Sequence, residues 1–246
     1  ANMSHEIRTP LNGILGMLQL IRQTPLSFRQ NDYASKAQSA ARSLLALLND
    51  ILDFSKIEAG KLMLEPHPFE LEKLMRELGN VLTGNQGDKV IEVIFDLDPE
   101  LPSVLFGDSL RLQQVLINLA GNALKFTEQG RVSIEAQWQS LDHELLWFTC
   151  SVRDSGIGIS SESLELMFNA FQQADSSISR RYGGTGLGLP IARTLAGRMG
   201  GTLRAQSEEG LGSVFTLEIP LALYKQALPK QVAPRALNGD GQGAGR

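Results

Sequence analysis

A single cysteine in 246 residues, Cys150, leaves no partner for an internal disulfide. It sits in the apolar-rich run Leu146-Trp147-Phe148-Thr149-Cys150, where it reads as a small buried side chain in a reducing compartment. No run reaches the ~20 apolar residues of a membrane-spanning helix, and no signal peptide opens the chain. The expected location is therefore cytoplasmic. Basic charge is not in excess, with 23 Lys and Arg against 27 Asp and Glu, and no basic run stands out. Nucleic acid is thus not an expected partner. Histidine is equally scarce, with three in all. A zinc-binding H-E-x-x-H would need a second histidine where Thr9 stands. His67 lies between Pro66 and Pro68, and His143 lies in a polar turn; neither is assigned a role.

What is present begins with 42% hydrophobic residues, enough for one or two real cores. Residues 1–65 read as two helices joined by the turn Thr24-Pro25-Leu26-Ser27. The second carries Ala34, Ala37, Ala41, Leu44, Leu45, Leu48, Ile51 and Leu52 at helical spacing. A two-helix hairpin cannot bury its own seam, so a second copy is expected to complete a four-helix bundle. Pro10, inside the first helix, is expected to kink it. Residues 66–69 read as a punctuated linker. Beyond them the pattern gives helix 70–82, strand 90–97, helix 108–126, strands 131–139 and 145–153, helices 161–168 and 188–199, and a hairpin of strands 202–207 and 213–219. Such interleaving indicates an α+β layer, with one sheet face covered by helices, over residues 70–224. Residues 225–246, with Pro229, Pro234 and a Gly-rich end, read as a flexible linker or tail.

Four segments carry chemistry. In the first helix, His5, Thr9, Asn12, Gly16 and Gln19 share a narrow stripe opposite Met3, Ile7, Leu11, Ile14, Leu18 and Ile21. A neutral imidazole is a competent nucleophile near pH 7, although a lone histidine on a polar face is usually just solvated. In helix 108–126, Arg111, Gln114, Asn118, Asn122 and Lys125 share one face. Asparagine is a poor mid-helix residue. Two of them at i and i+4 can direct amide oxygens at a hard cation such as Mg²⁺, with Lys125 one turn on for phosphate charge. Asp154-Ser155-Gly156-Ile157-Gly158 follows a strand directly. A carboxylate there can accept the exocyclic amino group of adenine and would repel the carbonyl of guanine, though the motif alone is often only a turn. Finally, Gly183-Gly184-Thr185-Gly186-Leu187-Gly188 opens a helix, which makes a phosphate cradle of backbone N–H groups and the helix dipole. It is neither a P-loop nor a dinucleotide-binding turn. The polar stretch from Gln172 to Tyr182, with Arg180 and Arg181 near its end, is read as a lid.

In this order, the pieces resemble the sensor histidine kinases. Ser4-His5-Glu6-Ile7-Arg8-Thr9-Pro10 looks like their H-box, and Asn118 to Phe126 like the N-box. Asp154 to Gly158 looks like the G1 box, Phe168-Asn169-Ala170-Phe171 like the F-box and Gly184 to Gly188 like the G2 box. The stretch Asp50 to Gly60 is especially similar to hybrid kinases, which carry receiver domains after the kinase core. Because the chain opens inside the H-box helix, it is read as part of a longer protein, with any membrane attachment in segments outside it and an inner-membrane sensor as the expected whole.

The resemblance implies a dimerisation and phosphoacceptor hairpin (1–65) followed by a Bergerat-type ATP-binding domain with a mixed sheet. It implies His5 as the phosphorylated residue, Glu6 as its general base, and Thr9 as the residue orienting water for receiver dephosphorylation. Asn122 would be the principal Mg²⁺ ligand, with Asn118 and Lys125 at the phosphates. Asp154 would contact adenine, with Gly156, Gly158 and Phe126 around the base, and Arg181, Thr185, Gly186, Leu187 and Gly188 would complete the ATP site. The implied partners are a second copy and a receiver domain, in cis or in trans. Two rival functions differ from this. An ATP-hydrolysing relative would need a water-activating glutamate where Asn118 stands. A silent regulatory partner of another kinase would typically lack the acceptor histidine, the metal asparagine or the lid glycines.

Overall fold

The computed structural model describes residues 2–87, 89–168 and 186–224. The chain opens with α1 (Asn2–Arg22) and α2 (Phe28–Glu58). The helix α1 runs unbroken through Pro10. Ser27 starts α2 with a capping box: its hydroxyl accepts from Gln30 N–H, and the Gln30 side chain returns a bond to the Ser27 N–H. The helices are antiparallel, tied by Arg22 to Gln38 (2.6 Å) at the turn end and by Arg8 to Asn49 (3.3 Å) at the other. Leu11, Ala34, Gln38 and Ala41 form the buried seam, while Ile7, Ile14, Met17, Leu20, Ile21, Leu44, Leu47 and Ile51 stay exposed.

The remainder is an α+β layer. Seven strands form one mixed sheet: β1 (His67–Glu70), β2 (Val90–Leu97), β3 (Val104–Gly107), β4 (Gln129–Ser140), β5 (Leu145–Asp154), β6 (Thr202–Glu208) and β7 (Gly212–Leu223). The order is β1-β3-β7-β5-β4-β2, with β6 also paired to β7; β2 and β4 are parallel and the other pairs antiparallel. Among the described residues, four helices complete it: α3 (Leu71–Gln86), α4 (Ser109–Phe126), the short α5 (Ser161–Leu166) and α6 (Gly188–Arg198).

Strict alternation in β5 places Leu146, Phe148, Cys150 and Val152 on the covered face and Trp147, Thr149, Ser151 and Arg153 on the other. That covered face meets Leu78 and Leu82 of α3, Leu112, Leu116 and Leu119 of α4, and Ile191 and Leu195 of α6, all in one core.

Two elements depart from the sequence reading. Residues 67–70 are a strand, not part of a linker at 66–69; they pair with β3, another strand the pattern does not reveal. The position explains Pro68: β1 is the sheet edge, where a missing N–H breaks no ladder. The preceding segment is also tied down, with Leu62 buried and Glu65 N–H donating to Asp108 Oδ2 (2.9 Å).

Candidate active site

The site is built on α4. Asp108 caps it, Oδ1 accepting from Arg111 N–H (3.0 Å). Leu112, Val115, Leu116, Leu119, Ala120, Ala123 and Leu124 turn inward. The polar stripe then divides. Arg111 and Gln114 are not at a nucleotide position: both donate to Asp53 Oδ2 of α2, at 3.1 and 2.8 Å. Side-chain type does not reveal which body lies over a given turn of a helix, and here the hairpin covers the first turns. The later turns carry Asn118, Asn122 and Lys125, all half-buried. Asn118 Nδ2 donates to Gly188 O (3.2 Å), linking α4 to the start of α6. The Lys125 ammonium lies 4.8 Å from the centre of the Phe126 ring, and burial lowers its pKa.

Asp154 ends β5 on the covered face and is buried. Its Oδ1 accepts from the N–H groups of Gly156 (2.9 Å) and Ser213 (3.3 Å). The sheet register sets Asp154 directly opposite Ser213. Ser207 Oγ donates toward Ser213 Oγ (3.0 Å) and accepts from Ile159 N–H (2.8 Å). Burial is the larger influence on this carboxyl and raises its pKa; the bonds from Gly156 and Ser213 oppose it. Ser207 and Ser213 brace this carboxyl and its loop, and the sequence pattern does not single them out, because a serine in a hairpin means little until the register is known. The glycines of this loop are steric necessities. A Cβ on Gly156 would stand 2.5 Å from Phe126 O, and Gly158 combines φ +68° with a carbonyl contact from Glu208. Ile157 N–H donates to Phe126 O (3.3 Å), so the Asp154 loop is bound to the end of α4.

The third wall is the start of α6. Gly186 has φ +70°, Leu187 is buried, and the N-cap position is Leu187, whose side chain cannot accept from the first-turn N–H groups. A helix start of this kind suits an anion. Arg193, on α6, lies 5.0 Å from the Phe168 ring centre. Arg181 and Thr185, with the rest of the lid and of the F-box after Phe168, lie outside the described residues, as do residues 225–246.

Asn118, Asn122, Lys125, Phe126, Asp154, Gly156, Gly158 and Gly186 to Gly188 thus gather on the α+β layer. His5, Glu6 and Thr9 lie apart, on α1. Glu6 and Thr9 are exposed, whereas the His5 side chain lies outside the described part. Because the hairpin is antiparallel, the His5 turn sits at the same end as Asp53, where α2 meets α4.

Comparison with known proteins agrees with this layout. Residues 1–60 match the family described as His Kinase A (phospho-acceptor) domain, and residues 107–223 match histidine kinase-, DNA gyrase B- and HSP90-like ATPase. The signal transduction histidine-protein kinase BarA of Escherichia coli (strain K12) is 43% identical over 239 residues, covering 97% of this chain and 26% of that protein. The chain therefore spans about a quarter of the length of such curated relatives. Full-length ShkA, solved in complex with AMPPNP, matches 93% of this chain and 46% of its own at TM-score 0.70 and 36% identity. The catalytic domain of histidine kinase ThkA matches over 63% of this chain and 97% of its own, at TM-score 0.50 and 30% identity. The chain belongs to the sensor histidine kinases, with a phosphoacceptor hairpin leading into an ATPase-type layer.

Proposed function

We propose that the protein is an ATP-dependent histidine autokinase that phosphorylates His5 and passes the phosphoryl group to an aspartate of a receiver domain. The observation that carries this reading is Asp154. A buried carboxylate fixed by Gly156 and Ser213 beside α4 suits the exocyclic amino group of adenine, where guanine presents a carbonyl. Lys125 and the start of α6 supply positive potential for the phosphates. Asn122 offers an amide oxygen, a donor that fits Mg²⁺, which would offset phosphate charge when bound. In the transfer, one nitrogen of the His5 imidazole attacks the γ-phosphorus in line. The bond to the bridging oxygen breaks, ADP leaves, and Glu6 takes the proton from the other ring nitrogen. Positioning and charge stabilisation carry most of such a reaction.

The exposed residues Ile7, Ile14, Met17, Leu20, Leu44, Leu47 and Ile51 support a second copy as the partner of the hairpin. Thr9, one turn beyond His5, orients water in this reading when a receiver is dephosphorylated. No helix among the described residues is long and apolar enough to cross a membrane. A membrane anchor would belong to segments outside this sequence.

The test is incubation with γ-labelled ATP and Mg²⁺, followed by acid and alkali. Acid-labile, alkali-stable label that vanishes in His5→Gln supports the autokinase. Binding of ATP without any labelling would favour a silent partner of another kinase.

A further inference from the structure

The end of α4, where Asn122, Lys125 and Phe126 gather, is electrostatically the wrong end of a helix for a polyanion. Its last carbonyls lack intrahelical partners, and the helix dipole places about half a negative charge there. The structure accounts for each of these groups. Ala123 O accepts from Thr127 N–H (3.1 Å), and Phe126 O accepts from Ile157 N–H (3.3 Å). The rest fall to one side chain. Lys89 Nζ donates to Leu124 O, Lys125 O and Thr127 O, each at 2.9 Å. An ammonium has three N–H donors, and Lys89 directs all three onto this turn. Its own backbone is held from behind: Gln86 Nε2 donates to Lys89 O (3.2 Å) and to Ile91 O (2.7 Å). The next residue, Val90, enters the parallel ladder opposite Gln129, immediately after the turn that Lys89 clamps.

We infer that Lys89 is a positioning residue of the nucleotide site, acting through α4 without touching substrate. The inference rests on the ATP site proposed above. Lys89 has two effects there. It fixes the turn through Phe126, whose carbonyl holds Ile157 and so ties the Asp154 loop to the end of α4. It also sets a positive charge over the negative end of the helix that carries Asn122 and Lys125. A cap that served stability alone would raise the unfolding temperature without changing affinity for ATP. The two roles therefore separate in a binding experiment.

The experiment measures binding of Mg²⁺-ATP, thermal unfolding without nucleotide, and the rate of His5 labelling at saturating ATP. It compares the whole wild-type chain with Lys89→Met, Lys89→Arg and a core control, Ile219→Val, in β7. Loss of one charge-assisted set of bonds should raise the ATP dissociation constant of Lys89→Met roughly tenfold. Its labelling rate at saturation should stay within about twofold, since the group does not act in the transition state alone. Lys89→Arg should recover most of the affinity, because guanidinium N–H groups can still meet carbonyls. Wild-type affinity in Lys89→Met would overturn the proposal. So would an affinity loss no larger than that of Ile219→Val once unfolding temperatures are matched. If Lys89→Met does not fold, Lys89→Gln, which keeps donors without the charge, is read by the same two criteria. A wild-type chain that binds no ATP would instead overturn the site itself, and the role of Lys89 with it.

Discussion

Asp53 and Arg111 join the phosphoacceptor hairpin to the ATP-site helix through a 3.1 Å ion pair that is largely shielded from water, with side chains 16% and 18% exposed. Gln114 completes it, donating to the same carboxylate oxygen. The pair lies about 16 Å along α4 from Asn122, at 1.5 Å per residue. Arg198 of α6 adds a second tie, donating to Ile57 O (3.3 Å) and Leu62 O (3.1 Å). The end of α2 is therefore held by both helices that wall the proposed nucleotide site.

A double-mutant cycle of Asp53→Ala with Arg111→Ala should give a coupling of about 1–2 kcal/mol in urea unfolding, as expected for a charged hydrogen bond away from solvent. The exposed pair Lys36–Asp32 (73% and 42% exposed) is the internal comparison, where about 0.3–0.5 kcal/mol is expected. Either single change should also speed proteolysis of the segment 59–66. Equal coupling in the two cycles would mean that Asp53 and Arg111 contribute no more than a surface contact.

Asp154→Asn should separate affinity from stability. The amide oxygen can still accept from Gly156 and Ser213 N–H, so the fold keeps its bonds, but the negative acceptor for an adenine amino group is gone. The dissociation constant for ATP should rise tenfold or more. The stability effect has the opposite sign. Burial raises the folded-state pKa of this carboxyl above that of the unfolded chain. Its contribution is therefore fully present below the unfolded value of about 3.9 and is lost as pH rises through the higher folded value. The variant, which does not ionise, should melt at or above wild type at neutral pH, with the gap closing on acidification toward pH 4. A variant that melts lower at every pH would mean that the charged form is the stabilised one.

How much of this was legible in the sequence depended on whether a feature was local. The strand at 90–97 coincides with β2, and alternation at 145–153 recovers all but the last residue of β5. The strands β1 and β3, at four residues each, are too short for a period to register, and Pro68 argues against a strand until its edge position is known. The stripe on α4 was visible, but its division between Asp53 and the nucleotide face depends on contacts 58–61 residues apart. Ser213 needed the register with Asp154, and Lys89 needed the end of α4 beneath it. Long-range pairing decides these positions, and residue type alone carries no trace of it.

Cys150 is fully buried in β5, and burial, with the charge of Glu135 adding to it, pushes its thiol pKa up to about 12. The thiolate is the reactive form, so the native protein should resist a thiol reagent at pH 8. As the only thiol in the chain, it should label fully in denaturant, and its rate in intermediate urea should follow the unfolding curve. Stoichiometric labelling of the native protein within minutes would show that this part of the core opens far more readily than its packing indicates.

Thr127 offers the opposite kind of buried polar group. Its backbone is fully engaged, N–H to Ala123 O and carbonyl to Lys89 Nζ, yet its Oγ1 has no hydrogen-bond partner among the described residues. A hydroxyl buried without a partner forfeits its hydration for nothing, and an isosteric methyl removes that cost without opening a cavity. Thr127→Val should therefore stabilise the protein by about 1 kcal/mol, raising the melting temperature by about 2–4 °C for a domain of this size. Because the change leaves the carbonyl clamp of Lys89 in place, ATP affinity should stay within about twofold of wild type. A lower melting temperature would mean that the hydroxyl is bonded in solution. If the melting temperature rose but ATP affinity fell, the hydroxyl would be reserved for the nucleotide.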